Sequence, residues 1–149
     1  MTEVGGMSPR ERNQLMMGKI RADEPKPYEE GRYVLRVVSA PGRTSGEPRP
    51  WPIAITQLDG HRYVCAPNRQ RDWVRNLLAA GRCDIEREEV SAHQAVLVEG
   101  DEAATVVATY LGALGRPSTL WPFAADAPAS EIREHTHEIA VFRLEPVAP

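Results

Sequence analysis

Cysteine is scarce in this chain: Cys65 and Cys83 stand alone, far apart and outside any C-x-x-C pattern. Free thiols in a reducing compartment are the expectation, not a disulfide framework. Long apolar runs are missing too. No stretch approaches the ~18 consecutive apolar residues that span a membrane. A signal-peptide core is absent from Met1 to Ile20, which Pro9, Arg10, Glu11, Arg12 and Asn13 interrupt. A cytoplasmic location follows as an expectation. A basic surplus is also lacking. The formal net charge of −3 argues against a general nucleic-acid binder. There is no internal repeat. What remains is an ordinary globular composition, 42% hydrophobic and 26% charged over 149 residues, enough for one core.

The local signals are mostly those of short strands. Ser8-Pro9-Arg10-Glu11 predicts a helix start, with serine as cap, proline at the first helical position and glutamate closing a capping box. Leu15, Met16 and Ile20 form its apolar stripe, and Pro25 and Pro27 end it. That stripe is too narrow to hold a helix alone, so it should pack on a barrel or a second subunit. Tyr33 to Val38 predicts a strand rich in β-branched residues. Trp51 to Leu58 predicts a second, with Trp51, Ile53 and Ile55 on one face; Pro50 and Pro52 restrict it to a strand start or an edge. Asp59-Gly60 is a two-residue hairpin signal, and His61 to Ala66 is the returning strand.

Asp72 is the expected cap of a helix carrying Trp73 and Leu77, stopped by Gly81. Arg82 to Glu88 and Val90 to Glu99 read as an antiparallel pair. Gly100-Asp101 opens another helix, with Val106, Val107, Tyr110, Leu111 and Leu114 as its core face, ended by Gly115 and Pro117. Leu120 to Ser130 shows no period, and Glu138 to Leu144 is a last strand with Ile139, Val141 and Arg143 alternating. Hairpins and few helices point to a mainly β (α+β) fold, an antiparallel barrel-like sheet, and not to a βαβ sheet.

The positive charge is concentrated. From Arg43 to Arg75 there are six arginines against three acids, in a chain that is acidic overall. Gly42-Arg43-Thr44-Ser45-Gly46-Glu47-Pro48-Arg49 has the parts of a phosphate loop: glycines for close approach, hydroxyls to donate, guanidiniums to neutralise. A plain turn between strands is the alternative reading of the same residues.

Taken in order, Gly42 to Arg49, Asp59-Gly60, Cys65-Ala66-Pro67 and Asp72-Trp73-Val74-Arg75-Asn76-Leu77-Leu78-Ala79-Ala80-Gly81 resemble the deazaflavin-dependent nitroreductase family, from about Tyr33 to Leu144. The resemblance implies a six-stranded antiparallel split β-barrel of the FMN-binding split-barrel type with an N-terminal helical arm and two further helices. It implies residues 1–30 as arm and linker and 31–149 as the cofactor-binding domain. It implies an oxidoreductase, commonly a homodimer, that moves a hydride from reduced coenzyme F-420 to a small organic acceptor such as a quinone or nitroaromatic. Arg43, Thr44, Ser45, Gly46 and Arg49 then match the loop around the cofactor's phosphate and acidic tail. Ala66, Pro67 and the loop to Arg71 match the segment flanking the ring. Asp72, Trp73, Arg75 and Asn76 match the helix start that closes the phosphate pocket, where free N–H groups and the helix dipole favour an anion.

Three departures stand out. Asn68-Arg69-Gln70-Arg71 replaces a small pair often found there, Val74 replaces a tyrosine, and the aromatic acceptor segment is thin. Tyr110, Trp121 and Phe123 are the candidate acceptor wall. FMN as the cofactor, or ligand binding without turnover, are the alternatives. Among other candidates, His135-Thr136-His137 would put two imidazoles on one strand face, but no third ligand completes a metal site. Cys65 reads as a small core residue or a nucleophile. Trp73 either stacks on a ring or plugs the core. Ser45 lacks the G-x-S-x-G context of a hydrolase.

Overall fold

Three prolines at alternate positions, Pro48, Pro50 and Pro52, shape the barrel. They lie on β2 (Pro48–Leu58), which pairs from Pro48 to Thr56 with the whole of β1 (Tyr33–Pro41). Proline has no N–H to give, so its missing donors fall on the side away from β1. There β2 meets β3 (His61–Ala66) only through Thr56, Gln57 and Leu58. Above Thr56 the two strands part, and the sheet is split on that side. The computed structural model describes residues 6–116 and 118–147.

The remaining elements follow in order: α1 (Pro9–Ala22) before β1, then α2 (Asp72–Ala80), β4 (Arg82–Ile85), β5 (Ala92–Val98), α3 (Gly100–Leu114), α4 (Ala129–Ile132) and β6 (Ala140–Pro146). The strands close in the order β1-β2-β3-β6-β5-β4, with β4 returning to β1, and each neighbouring pair is antiparallel. The expected six-stranded split barrel is therefore present. The Asp59-Gly60 turn has both residues at positive φ, 53° and 76°, the two-residue geometry that matches strand twist.

β3 and β6 are buried on both faces over their upper parts, Tyr63 to Ala66 and Ala140 to Phe142. Val64, Ala66, Phe142 and Leu144 point inward with Trp51, Ile55 and Ile85. Tyr63, Cys65 and Val141 point outward beneath α3, against Val106, Val107 and Leu111. Val74 and Leu77 of α2 join the inner core, so this helix stoppers the barrel mouth. Gly81 and Gly115 end α2 and α3 in the left-handed conformation, as expected. Pro117, the other expected stop of α3, lies outside the described residues.

Several local expectations are corrected. On α1 the capping box at Ser8 and Glu11 forms, but Met17 is the buried residue, while Leu15 and Met16 face outward. The arm packs on the barrel because Arg21 makes a two-pronged ion pair with Glu86 at 2.7 and 2.8 Å. Arg87 also donates to the carbonyls of Ile20, Arg21 and Asp23, which a helix end leaves unpaired. Arg71, not Asp72, occupies the cap position of α2, and no side chain caps it. The aperiodic 120–130 stretch ends in the short α4. His135 closes a 3-10 turn (Arg133–His135) and β6 starts at Ala140 instead of Glu138. β4 and β5 are shorter than expected, with a turn at Arg87 (φ 65°) between them.

The lower end of the barrel holds a buried charge. Arg36 sits on the inward face of β1 and donates to Glu88 at 3.3 Å and to the Lys26 carbonyl at 2.6 Å. Tyr28 bonds Glu88 as well, and Arg62 lies 3.6 Å over the Tyr28 ring. Glu88→Gln strips the counter-charge from a buried guanidinium. It is expected to destabilise the fold by about 3–5 kcal/mol, read as a lower urea midpoint at unchanged slope.

The Glu86 carboxyl is held below its ordinary value by the hydrogen bond to Arg21. A lowered folded pKa contributes stability above the unfolded value and loses it as pH falls through the folded one. The α1 arm is thus expected to loosen as pH drops below 4.5, the ordinary glutamate value. Chemical shifts of α1 residues should then move at a higher pH than those of barrel residues.

Candidate functional site

The glycine-rich segment is a tight turn between β1 and β2. Gly42 N–H donates to the Glu47 carbonyl and Gly46 N–H to the Gly42 carbonyl, both at 2.8 Å. Gly46 has φ 75°, which suits glycine. A Cβ on Gly42 would lie 2.9 Å from Ser45 Oγ and 3.2 Å from Arg49 Nε, so a side chain here would displace those groups. The Ser45 hydroxyl is held inside the turn, accepting from Glu47 N–H at 3.2 Å and from Arg49 at 3.4 Å.

A latch joins this turn to α2. Asn76 is only 7% exposed. Its Oδ1 accepts from the Arg43 backbone at 3.1 Å and from the Arg43 guanidinium at 2.8 Å. The same guanidinium reaches the Asp72 carboxylate at 3.2 Å. Residues widely separated in sequence, Arg43, Ser45, Gly46 and Arg49 on one side and Asp72 and Asn76 on the other, are thereby brought together. Arg43 is committed to the latch. Arg49 bonds only a hydroxyl, and Arg71 and Arg75 have no acid partner among the described residues. Thr44 is exposed on the turn.

These groups fit an anion. The first N–H groups of α2 carry no side-chain cap, and Arg49, Arg71 and Arg75 are exposed, so positive charge near the turn stays open to a phosphate or carboxylates. Asp72, 87% exposed on its side chain, is the opposing charge, and Arg43 neutralises it.

Beneath the latch, Trp73 stacks on Trp51 with centroids 5.1 Å apart and planes at 16°, and leans on Phe142 at 6.3 Å. Trp73 packs against the inner core and stays half-buried. Trp51 Nε1 is buried without a hydrogen-bond partner. Ala66 and Pro67 are buried where β3 leaves the barrel. From there Arg69 turns away from the turn–helix cradle. It donates to the carbonyls of Ile139 at 2.7 Å and Thr136 at 3.0 Å, and to Glu99 at 2.6 Å.

The expected acceptor wall divides. Tyr33, Tyr110, Trp121, Phe123 and His135 form one chain of ring contacts, 5.5 to 6.5 Å apart. Phe123 is 8% exposed and serves as backing. Tyr110 packs behind the wall, where burial raises its pKa. Trp121 alone of the three lines an open cleft of ≈ 470 Å³, with Asn68, Gln70, Leu120, Pro122 and His137. The lining by Leu120 had no sequence signal, because the 120–130 stretch has no period, and His137 stood out in the sequence only as a metal candidate. The two histidines do not share a strand face: His135 lies in the 3-10 turn, its ring nitrogen 2.6 Å from Glu138. Burial pushes the Cys65 thiol up to about 12, which keeps it protonated and unsuited to nucleophilic attack.

No family model and no curated protein matches the chain. Among solved structures it is similar to a heme binding protein from Mycobacterium smegmatis, at 20% identity and a TM-score of 0.48. That match covers 74% of this chain and 45% of the other, so the chain spans less than half of that protein's length. It is also similar to an F-420 reductase, at 13% identity and a TM-score of 0.49, covering 84% of this chain and 97% of the other. No helix among the described residues is long and apolar enough to cross a membrane.

Asn76→Ala removes the acceptor that ties the turn to α2. It is expected to cost about 1 kcal/mol and to speed amide exchange at Arg43 and Gly46, leaving the barrel strands protected.

Proposed function

We propose that the protein is a deazaflavin-dependent oxidoreductase that reduces a small organic acceptor such as a quinone or nitroaromatic. The observation that carries this reading is the latch. It assembles a glycine turn, an uncapped helix N-terminus and arginines without an acid partner among the described residues at one end of a split barrel. These are the segments whose motifs resemble the deazaflavin family. In this reading Arg49, Arg71 and Arg75 hold the cofactor's anionic tail, with Ser45 and the first N–H groups of α2. Arg43 and Asn76 keep the turn against the helix, and Asp72 holds the Arg43 guanidinium. Thr44 and Gly46 border the tail, while Ala66 and Pro67 lie beside the ring. Trp73 supports the site from below.

When bound, the reduced deazaflavin supplies a hydride, and a solvent proton completes the two-electron reduction of the acceptor. The chain's own part is position and electrostatics. A homodimer belongs to the reading, supported by Leu15, Met16 and Leu35, which stay exposed on the arm and on β1.

Titration with F-420 and FMN side by side tests the proposal. F-420 is expected to bind more tightly, with an affinity that falls as salt rises. Arg49→Ala should weaken it at least about tenfold without lowering the melting temperature, the scale of one charge-assisted bond. Salt-insensitive binding, or an unchanged affinity in Arg49→Ala, would remove the electrostatic role. Tighter binding of FMN would transfer the assignment to that cofactor. Tight F-420 binding with no reduction of any acceptor in a panel of quinones and nitroaromatics would leave a binding protein.

A further inference from the structure

The barrel has a second open edge, low on β1 and away from the 42–49 turn. The prolines of β2 fix which way the β1 backbone faces there. Val37 lies opposite Pro52, which has no N–H, so the two form a pair without mutual hydrogen bonds. The alternation then turns the backbone groups of Leu35 and Val37 away from β2 and towards the β4 side. β4 meets β1 only at Val38 and Ser39. Below them one bond remains, from the Glu86 N–H to the Val37 carbonyl at 3.0 Å. The N–H groups of Leu35 and Val37 have no acceptor on this side among the described residues.

A groove of ≈ 230 Å³ runs along this edge. The consecutive β1 residues 33–37 line it from both faces of the strand, which places it beside the backbone. The end of α1, linker residues 23–26 and the 86–87 turn form the other walls. Those walls are braced. Arg87 Nη1 bonds the carbonyls of Ile20 and Arg21, both at 3.1 Å, and that of Asp23. Arg21 is paired with Glu86 at 2.7 Å, and Arg36 Nη2 holds the Lys26 carbonyl at 2.6 Å. The gap beside β1 is thus held at a fixed width, and a ligand entering it need not order the chain.

The groups on offer select the occupant. Two N–H donors on alternate strand residues stand about 7 Å apart. That spacing is too wide for one phosphate or carboxylate, and it matches alternate carbonyls of an extended chain. Ile20 and Pro25 add an apolar wall for one aliphatic side chain. The linker rim carries both signs. Asp23 and Glu24 have no cationic partner among the described residues, and Lys26, two and three residues on, has no acidic one.

We propose that this groove binds an extended peptide segment of a partner protein by adding it as a short strand to β1, and that the segment carries an aliphatic residue between a basic and an acidic one. The proposal does not rest on the deazaflavin reading.

The test is NMR titration of the whole chain with acetyl-Val-Lys-Val-Glu-Val-amide. Binding with a Kd below about 1 mM is expected, with the largest amide shifts at Leu35 and Val37. Methylating single peptide nitrogens should give an alternating pattern: a methyl facing β1 costs at least about fivefold, and one facing away costs little. Leu35→Pro removes an edge N–H that β2 does not use, and is expected to lose at least about fivefold, while Leu35→Ala, which keeps the N–H, loses less. Should Leu35→Pro fail to fold, the methylation series decides. Asp23→Asn combined with Glu24→Gln is expected to weaken binding and reduce its dependence on salt. No shifts at millimolar peptide, equal losses at every methylated position, or equal affinity in Leu35→Pro and Leu35→Ala would each overturn the proposal. Loss of a dimer in Leu35→Pro, in a chain that binds no peptide, would overturn it and give the edge to a second copy of the chain.

Discussion

The parting of β2 from β3 above Thr56 is the constraint on which the rest of the structure depends. The three prolines of β2 remove donors from that edge, so no neighbouring strand can pair there. The barrel is left open near its upper end, and its apolar interior needs another cover. α2 supplies it by lowering Val74 and Leu77 into the core and stacking Trp73 on Trp51. Once a helix must lie across the mouth, its N-terminus is carried to the β1–β2 turn. The Arg43–Asn76 latch then holds the two together. The candidate anion site is a consequence of how an opened barrel is closed.

The two ends of the barrel treat charge in opposite ways. At the lower end, Arg36 is buried and satisfied by Glu88 and a backbone carbonyl, with Tyr28 over the group. Such a cluster contributes little net stability but is costly to break. At the upper end, arginines stay exposed and short of acid partners. Chains that spend acids on every arginine have none left over for a ligand, so this asymmetry is the chemical content of the site. Arg69 lies between the two cases: it is at the upper end, yet its Nε and Nη2 donate to groups inside the protein.

Much of the fold was legible in the residue pattern. The Ser8 capping box, the Asp59-Gly60 hairpin and the glycine stops of α2 and α3 each rest on a local rule and appear where that rule puts them, while β2 starts at Pro48, three residues before the expected Trp51. The misses share one cause. Met17 is buried in place of Leu15 and Met16 because the arm's angle is set by Arg21 and Arg87 contacts with residues far along the chain. His135 lies in a helical turn, not a strand, because the preceding α4 docks Ile132 under α3. Arg36 could have been noticed, since it alternates with Val34 and Val38 on an otherwise apolar strand face.

The amino-acid sequence by itself determined the strand-rich class, the split edge of β2, the glycine turn and the local surplus of arginine. Each depends on a residue and its near neighbours, through a missing N–H, a permitted φ or a run of like charge. Tertiary structure alone decided which arginines stay available. Arg43 and Arg69 look the same as Arg49 and Arg71 in the sequence. They differ because Asn76, Asp72 and Glu99, all remote along the chain, come within hydrogen-bond reach of the first two and not of the others. Partner choice among identical side chains is a matter of distance in space, and only the closed barrel sets those distances.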